Sequence, residues 1–269
     1  MKKCYICLIF LCFTFTVIAQ SGIATYKKEW TSFGSEEGMK ELKKTNSQRY
    51  REYSKMKLAR DRLAKRLKYE LKFDKNEAEF KLPELMSVDD DPYMALATGP
   101  SDGIYYSNLK TGNSFFFTDS FNNSTYLIEY PPYKWEITNE QRMINGFSCF
   151  KAKGTLKTWD GSLEVWFAPQ LNIPLGPRGV TGLPGLVVQV EYGAELFTLI
   201  DIDLEEKPAE IKKPEAAHEV TLAKWKKINE TDLLLSITEH TKKKFIKSNV
   251  KSTIIEALRQ VGRRNTPRS

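Results

Sequence analysis

The chain has 269 residues, with 41 Lys or Arg and 34 Asp or Glu side chains that leave a formal net charge of +7 at pH 7. Beyond the first nineteen residues no apolar run approaches the roughly 20 residues of a membrane-spanning helix, which excludes such a helix from the remaining chain. Three of the four cysteines lie in the first twelve residues, and a processed chain that keeps only Cys149 cannot form an internal disulfide.

The amino terminus has the pattern of a cleavable signal peptide over residues 1–19. Two lysines give a short positive start, Leu8 to Ile18 is almost unbroken in apolar residues, and small residues precede the expected cut. We therefore expect residues 20–269 to form one exported, β-rich domain that begins at Gln20. Lipidation at Cys12 is a less favoured alternative, because a bulky residue precedes it and the apolar run continues past it.

Residues 35–68 are predicted to form one or two amphipathic helices. The stretch lacks proline, and apolar residues return at helical spacing at Tyr53, Met56, Leu63 and Leu67. Within it, residues 40–68 hold twelve basic and three acidic side chains, a local charge of +9, whereas residues 69–206 carry a local charge of −11. A basic helical segment thus precedes an acidic region.

Strands are predicted on both sides of this segment. After Lys68 the period of the apolar residues changes to two, as in a half-buried strand. Residues Met86 to Pro100 are predicted to be a loop because Asp, Gly and Pro punctuate them. The strands predicted before residue 140 are Gly22 to Trp30, Tyr69 to Phe73, Ala78 to Leu82, Ile104 to Ser107, Ser114 to Thr118, Tyr126 to Tyr130 and Trp135 to Ile137.

Three hairpins are predicted further along the chain. Asn145-Gly146 and Asp160-Gly161 each separate two short apolar runs, and both dipeptides supply the positive φ of a primed turn. A third hairpin is expected around Gly193, between Leu186 to Tyr192 and Leu196 to Asp203.

The carboxyl-terminal part, residues 207–269, is predicted to be a linker from Lys207 to Glu215 followed by helices at Leu233 to Phe245 and Ile254 to Val261. Successive strands without intervening helices indicate antiparallel neighbours. The predicted fold class is α+β and β-dominated. It is a single curved antiparallel meander sheet over residues 69–206, flanked by the basic helical segment and the carboxyl-terminal helices.

An ordered set of short motifs ends in Gly182-Leu183-Pro184-Gly185-Leu186-Val187. It is preceded by Lys134-Trp135-Glu136-Ile137, Gly146-Phe147-Ser148-Cys149, Trp166-Phe167-Ala168-Pro169, Ile173-Pro174 and Gly176-Pro177. This set resembles the GLPGLI family, exported proteins of unknown function from the Bacteroidetes that were first noticed as a paralogous set in Porphyromonas. The resemblance covers Tyr69 to Pro214, with Val187 in place of the usual final Ile. It implies export but no mechanism, and it does not extend to residues 35–68.

Ligand contacts are predicted for the aromatic residues and the loop of this motif. Loops rich in Gly and Pro that a sheet supports often line ligand sites. In the favoured alternative the loop is a structural corner, in which Gly185 takes a positive φ and a partly exposed Leu183 tolerates truncation. The predicted contact residues are Trp135, Trp166, Phe167, Gly182, Leu183, Pro184, Gly185 and Leu186.

No catalytic residue, metal site or cofactor is predicted. Cys149 needs a base to act as a nucleophile, and the chain offers only His218 and His240 in its carboxyl-terminal part, so packing on a strand is the favoured role. Two histidines do not make a zinc site, and Asp89 to Asp91 lack the ligand spacing of a calcium loop. Glycines recur every third residue from Gly176, but they are too few for collagen and no phosphate-loop lysine follows.

The basic helical segment is interpreted first as a solvated or sheet-facing helix. An anionic envelope surface is the second interpretation, and export argues against nucleic acid. The leading functional hypothesis is an exported cell-envelope protein, in the periplasm or at the outer-membrane periphery, that binds an apolar or peptide ligand without catalysis. The expected architecture is similar to that of periplasmic lipoprotein carriers, whose concave sheet holds acyl chains. The alternatives are a hydrolase using Cys149 and an interaction module that docks on an outer-membrane transporter.

Overall fold

The computed structural model describes residues 21–32, 35–83, 91–99, 103–121, 124–156, 159–204 and 210–229. The predicted signal peptide, the start at Gln20 and both predicted carboxyl-terminal helices lie outside the described residues. Within the described ranges the protein is an α+β fold dominated by strands. None of the described helices is both long enough and apolar enough to cross a membrane.

Twelve strands form one sheet, and two short strands form a second. The large sheet contains β1 (Gly22–Trp30), β2 (Lys68–Phe73), β3 (Glu77–Lys81), β4 (Ile104–Asn108), β5 (Asn113–Phe121), β6 (Ser124–Tyr130), β7 (Lys134–Ile144), β8 (Phe147–Leu156), β9 (Trp159–Ala168), β12 (Leu186–Tyr192), β13 (Glu195–Asp203) and β14 (His218–Thr221). The small sheet is β10 (Leu175–Gly176) with β11 (Val180–Thr181).

The large sheet consists of two antiparallel meanders joined through the first strand. β1 to β6 follow one another in the sheet, and so do β7, β8, β9, β12 and β13. β1 pairs with β13 as well as with β2, which joins the two halves. Strand pairs within residues 69–206 are antiparallel, as predicted, but the single meander is wrong, because β1 joins two meanders. In addition, β14, outside that range, pairs with β6 in parallel. A crossover of many residues separates these two strands in the chain, which is what a parallel pair requires.

The sheet curls strongly. β6 and β7 lie near opposite ends of the strand order, yet only Pro131, Pro132 and Tyr133 separate them in the chain. Four Cα steps span at most roughly 14 Å, so the two ends of the sheet lie close together. In agreement, Ile128 of β6 and Leu156 of β8 belong to one buried cluster.

An aromatic cluster fills the concave face where the halves join. The Tyr69 ring stacks on Phe80 with centroids 5.6 Å apart and meets the edge of Phe197 at 5.2 Å. The Tyr26 hydroxyl donates to the Val187 carbonyl at 2.7 Å. Burial of each such side chain is worth about 1.5–3 kcal/mol, so this face stabilises the described part of the chain, in which Cys149 is a free thiol.

Two helices occupy the predicted helical stretch, α1 (Glu36–Thr45) and α2 (Ser47–Ala64). Each begins at a side-chain cap: Ser35 Oγ accepts from the Gly38 amide, and Asn46 Oδ1 accepts from the Arg49 amide, both at 3.0 Å. Only the last two turns of α2 are buried, through Arg60, Leu63 and Ala64. Most of the basic segment therefore faces solvent.

The hairpin predictions have different outcomes. The Asn145-Gly146 turn is confirmed, with φ of 48° and 85° between β7 and β8. The Gly193 turn is confirmed as well, with φ of 61°. The Asp160-Gly161 turn is wrong, because both residues lie inside β9, whose first residue Trp159 pairs with Leu156. The register shifts after Thr155, so that Asp160 and Gly161 have no opposite residue in β8. Residues 157–158, between β8 and β9, lie outside the described part.

Three elements were not predicted from the sequence. A short helix, α3 (Met94–Thr98), lies in the predicted loop from Met86 to Pro100. β14 and a further helix over residues 222–229 (α4) follow the predicted linker. All three elements are short, and tertiary packing rather than local periodicity stabilises them.

Candidate ligand-binding pocket

A cavity of about 350 Å³ opens at the concave side of the sheet, between β4, β6, the β12–β13 turn and α4. Its walls are mainly aromatic, with three charged side chains among them. We call it the tyrosine pocket, and its lining consists of Tyr105, Tyr130, Tyr133, Tyr192, Arg178, Glu195, Lys226, Leu156, Gly193 and Leu222. Its volume is in the range of small-molecule sites.

Arg178 enters the pocket from an unusual backbone conformation. It lies in a single 3-10 turn between β10 and β11, with φ 57° and ψ 37°, a left-handed region that non-glycine residues seldom adopt. Contacts on both sides hold the turn, because Tyr192 Oη donates to the Pro177 carbonyl at 3.0 Å and Ser114 Oγ donates to the Gly179 carbonyl at 2.7 Å. Such strain persists only where the surroundings impose it, and it concentrates at functional sites.

The Arg178 guanidinium belongs to a buried chain of charges. Nη1 pairs with Glu195 Oε2 at 3.0 Å, and Nε donates to Tyr105 Oη at 2.9 Å. The other carboxylate oxygen, Glu195 Oε1, pairs at 2.5 Å with Nζ of Lys28, a side chain that is 0% exposed. Lys28 Nζ also donates to the Thr98 carbonyl. One carboxylate is therefore shared by two cations.

Aromatic rings hold the guanidinium from its sides. Its central carbon lies 4.3 Å from the Tyr192 ring centroid and 5.5 Å from that of Tyr105. Such cation–π contacts are worth most where water is excluded. They fix the plane of the guanidinium against the pocket wall.

Protonation states in the pocket are well defined at neutral pH. Burial lowers the pKa of Arg178, but the neighbouring oxygens of Tyr105, Tyr192 and Glu195 outweigh it and raise the pKa above its ordinary value. Burial raises the pKa of Tyr133 to about 12 and also raises the pKa of Tyr105, Tyr130 and Tyr192. The tyrosines are therefore neutral hydrogen-bonding groups and Arg178 is charged.

Two of the predicted contact residues lie directly behind the pocket wall. The Trp135 ring stacks on Tyr133 with centroids 5.1 Å apart, and its Nε1 donates to the Thr181 carbonyl at 2.8 Å. Gly182 has φ of 87°, and a Cβ there would lie 3.7 Å from Trp135 Nε1. Trp135 thus links the pocket wall to the loop that carries Arg178.

The remaining predicted residues are not brought together on one surface. Phe167, Leu183 and Leu186 are core residues at 0–2% exposure, and Gly185 is buried while Pro184 is exposed. Leu183 is therefore not the partly exposed residue that was expected. A positive φ at Gly185 is also wrong: the residue approaches the Ala168 carbonyl so closely that a Cβ would lie 2.3 Å from its oxygen.

Trp166 lies on the opposite face of the sheet from Val165 and Phe167, since side chains alternate along a strand. Its ring carries the guanidinium of Arg142, whose central carbon is 3.9 Å from the ring centroid. Arg142 also donates through Nη2 to Gln189, which pairs with Trp166 in the neighbouring strand. The exposed Arg142 and the half-buried Trp166 form a stack on the opposite face of the sheet from the tyrosine pocket.

No sequence motif contains Lys28, Arg178 and Glu195 as a set, so motifs did not predict these residues. A signal was nevertheless present in the strand periodicity. Lys28 continues the inward series of Ala24 and Tyr26, and Glu195 starts the series of Phe197 and Leu199. A charged residue at an inward strand position indicates a buried ionic partner.

Cys149 has the environment of a packed thiol. It is 0% exposed, and burial raises its pKa to about 11. Its Sγ donates to the Phe147 carbonyl at 3.5 Å, whereas the His218 ring lies against Tyr126 with centroids 5.0 Å apart. His240 lies outside the described residues. Within the described ranges, no group of three or more His, Cys, Asp or Glu side chains is placed to hold a metal ion.

Comparisons with protein-family models and with curated proteins found no match. Among solved structures, the chain is similar to PNGF-II in a C2 crystal form, with 13% identity and a TM-score of 0.42 over 71% of this chain and 29% of that chain. A P21 form of PNGF-II gives 13% identity and a TM-score of 0.43 over 78% of this chain and 33% of that chain. The chain thus spans about a third or less of the solved chains it resembles.

Proposed function

We propose that this chain is an exported cell-envelope protein that binds an apolar or peptide ligand without catalysing a reaction, and that the ligand occupies the tyrosine pocket. The observation that carries the proposal is the cavity of about 350 Å³ walled by four tyrosines around a strained arginine. Concave sites with apolar walls and a few fixed polar groups are the usual form of small-molecule binding sites.

The chemistry of the pocket favours binding over catalysis. Arg178 and Glu195 are engaged with each other, and burial keeps the surrounding phenols protonated. A general base needs a pKa near the working pH, whereas the pKa values of Arg178 and of the four tyrosines are raised above their ordinary values. Burial raises the pKa of the Cys149 thiol to about 11, which disfavours the reactive thiolate that the hydrolase alternative requires.

The motif loop has a positioning role in this proposal. Leu183, Gly185 and Leu186 anchor the chain that leads back to Arg178, and Trp135 ties Thr181 to the pocket wall. In this proposal the side chains of the motif position Arg178, and Arg178 rather than the motif contacts the ligand.

A neutral apolar fluorophore, N-phenyl-1-naphthylamine, tests occupation of the pocket. Leu222 is 7% exposed and lines the cavity, so Leu222→Trp fills it with the larger indole. We expect this variant to lose at least about tenfold in affinity for the fluorophore, or more than 1.4 kcal/mol. Leu58→Trp is the matched control, because Leu58 is 70% exposed on α2. Equal binding by wild type and Leu222→Trp, at equal melting temperature, would place the ligand elsewhere.

Export is tested separately, by expression of the full chain in a bacterial host with a periplasm. We expect mature protein in the periplasmic fraction, with Gln20 as its first residue on terminal sequencing. Retention of Met1 in a cytoplasmic product, or a lipid-modified start at Cys12, would contradict this part of the proposal.

A further inference from the structure

Three charged groups meet behind the tyrosine pocket. Lys28 and Arg178 both pair with Glu195, so two basic side chains share one carboxylate. The tyrosines that face Arg178 stay neutral, because burial raises their pKa. A charge withdrawn from water is costly unless an opposite charge is near it. An anion that enters the pocket is therefore attracted to Arg178.

The Arg178 guanidinium has hydrogen-bonding capacity left over. Nε donates to Tyr105 and Nη1 donates to Glu195, but Nη2 makes no hydrogen bond with any of the described residues. The side chain keeps 18% of its surface exposed and forms part of the cavity wall. An arginine fixed in this way can offer a charge-assisted hydrogen bond to an anion at little cost in side-chain entropy.

The cavity also specifies what the anion is attached to. Tyr105, Tyr130, Tyr133 and Tyr192 offer ring surfaces around the arginine, and Leu156 and Leu222 add aliphatic surface on the far side. Rings of this kind stack on flat apolar groups. A volume of about 350 Å³ accommodates a small molecule rather than a folded partner.

From these observations we infer that the tyrosine pocket binds a small aromatic acid, with its carboxylate on the free edge of Arg178 and its ring between the tyrosines. The inference rests on the proposed function and narrows it, since it assigns a charge and a ring to the ligand. Arg178 is the residue that selects an acid over a neutral compound of the same shape.

Two fluorophores that differ in one group test this inference. 1-Anilinonaphthalene-8-sulfonate is an anion, and N-phenyl-1-naphthylamine has the same ring system without the sulfonate. We expect wild-type protein to bind the anion roughly tenfold or more tightly than the neutral compound, the factor that one charge-assisted hydrogen bond supplies. Leu222→Trp lowers the affinity for both fluorophores if both occupy the pocket.

Variants of Arg178 and Arg142 show which arginine is responsible for a preference for the anion. Arg178→Gln is expected to lower the affinity for the anion roughly tenfold and to leave the affinity for the neutral fluorophore unchanged. Arg178→Lys should retain part of the preference for the anion. Arg142→Gln is the matched control, because Arg142 stacks on Trp166 outside the pocket. Thermal melting checks that each variant is folded, and the wild-type comparison of the two fluorophores needs no variant.

The outcomes separate this inference from the proposed function. Equal affinity of wild-type protein for both fluorophores, with loss of both in Leu222→Trp, would overturn the acid preference and leave a pocket for apolar ligands. A preference for the anion that survives in folded Arg178→Gln would also overturn it. Binding of neither fluorophore would remove the proposed function itself.

Discussion

Arg142 and Arg178 both lie on aromatic rings, and their surroundings differ in every other respect. Arg142 stacks on Trp166 on the outer face of the sheet, is open to solvent and donates to the neutral side chain of Gln189. Arg178 lies between Tyr192 and Tyr105 on the inner face, adopts a strained backbone and shares Glu195 with Lys28.

The difference favours the inner side of the sheet as the proposed binding site. Partial burial lowers the pKa of Arg142, and the nearby Cys149 thiol offsets only part of this effect. At Arg178 the fold combines a left-handed non-glycine residue with a buried carboxylate that two basic side chains share. Natural proteins keep such features where function requires them. The predictions below separate the inner site from the outer one.

The largest expected effect is on the loop that carries Arg178. Gly185→Val places a branched side chain where a Cβ already lies 2.3 Å from the Ala168 carbonyl oxygen, so the backbone of one segment must move. We expect a loss of about 4 kcal/mol or more in unfolding free energy, seen as poor soluble yield and a low melting temperature.

Gly146→Val is the matched change in the hairpin that carries Arg142. Gly146 has φ of 85° and nothing within 4 Å of a Cβ, so the cost is conformational only, about 1–3 kcal/mol. If Gly146→Val proves the more damaging variant in urea denaturation, the close approach at Gly185 does not determine the fold of the loop.

Leu183→Ala is expected to cost about 2–5 kcal/mol, because the side chain is 2% exposed and its removal leaves a cavity. This reverses the expectation from sequence, in which a partly exposed leucine tolerated truncation. Leu58→Ala, at a site that is 70% exposed, changes unfolding free energy by less than about 0.5 kcal/mol. Urea midpoints of the two variants measure the contrast, and equal midpoints would contradict the burial of Leu183.

The arginines themselves give a smaller difference in stability. Arg178→Gln removes a charge-assisted hydrogen bond to Glu195, while the ion pair between Glu195 and Lys28 remains. We expect a loss of about 1–3 kcal/mol in unfolding free energy. Arg142→Gln should stay within about 0.5 kcal/mol of wild type. A gain in stability for Arg178→Gln would contradict this expectation, since it would show that burying the Arg178 charge costs more than its contacts return.

Cys149→Ser is expected to cost about 1 kcal/mol of unfolding free energy, since a hydroxyl replaces a thiol that packs on a strand. Because burial raises the folded-state pKa from 9.0 to about 11, the thiol's contribution to stability is complete below pH 9 and is lost as pH rises through 11. Wild type should therefore lose stability relative to Cys149→Ser over that window.

A thiol reagent gives a second measurement on Cys149. We expect native protein to react slowly at pH 7.5 and fast only after unfolding, because the thiolate is the reactive form. Rapid stoichiometric labelling of folded protein near neutral pH would revive the hydrolase alternative.

Local chemistry accounts for the parts of the fold that the sequence predicted. Alternating residues predicted β1, and Asn145-Gly146 predicted a primed turn, because these signals act within a few residues. Asp160-Gly161 carried the same local signal and failed, since the pairing of Trp159 with Leu156 is decided across the hairpin. At Gly185 the need for glycine comes from the Ala168 backbone rather than from its own φ.

The pocket could not be predicted in the same way, because its parts meet only through long-range pairing. Lys28 reaches Glu195 because the first strand joins β13, which lies more than 160 residues further along the chain. Arg178 lies on a separate loop, between β10 and β11. The sequence did indicate that Lys28 and Glu195 occupy inward-facing positions of their strands, and charged residues at such positions can be sought in other β-rich chains.

The most direct test of the central claim is a crystal structure of the protein with 4-iodobenzoate, an aromatic acid whose iodine is located by its anomalous scattering. The account predicts an iodine peak inside the tyrosine pocket, with the carboxylate within hydrogen-bonding distance of Arg178. An empty pocket at a saturating concentration of the acid, or a carboxylate turned away from Arg178 into solvent, would contradict it.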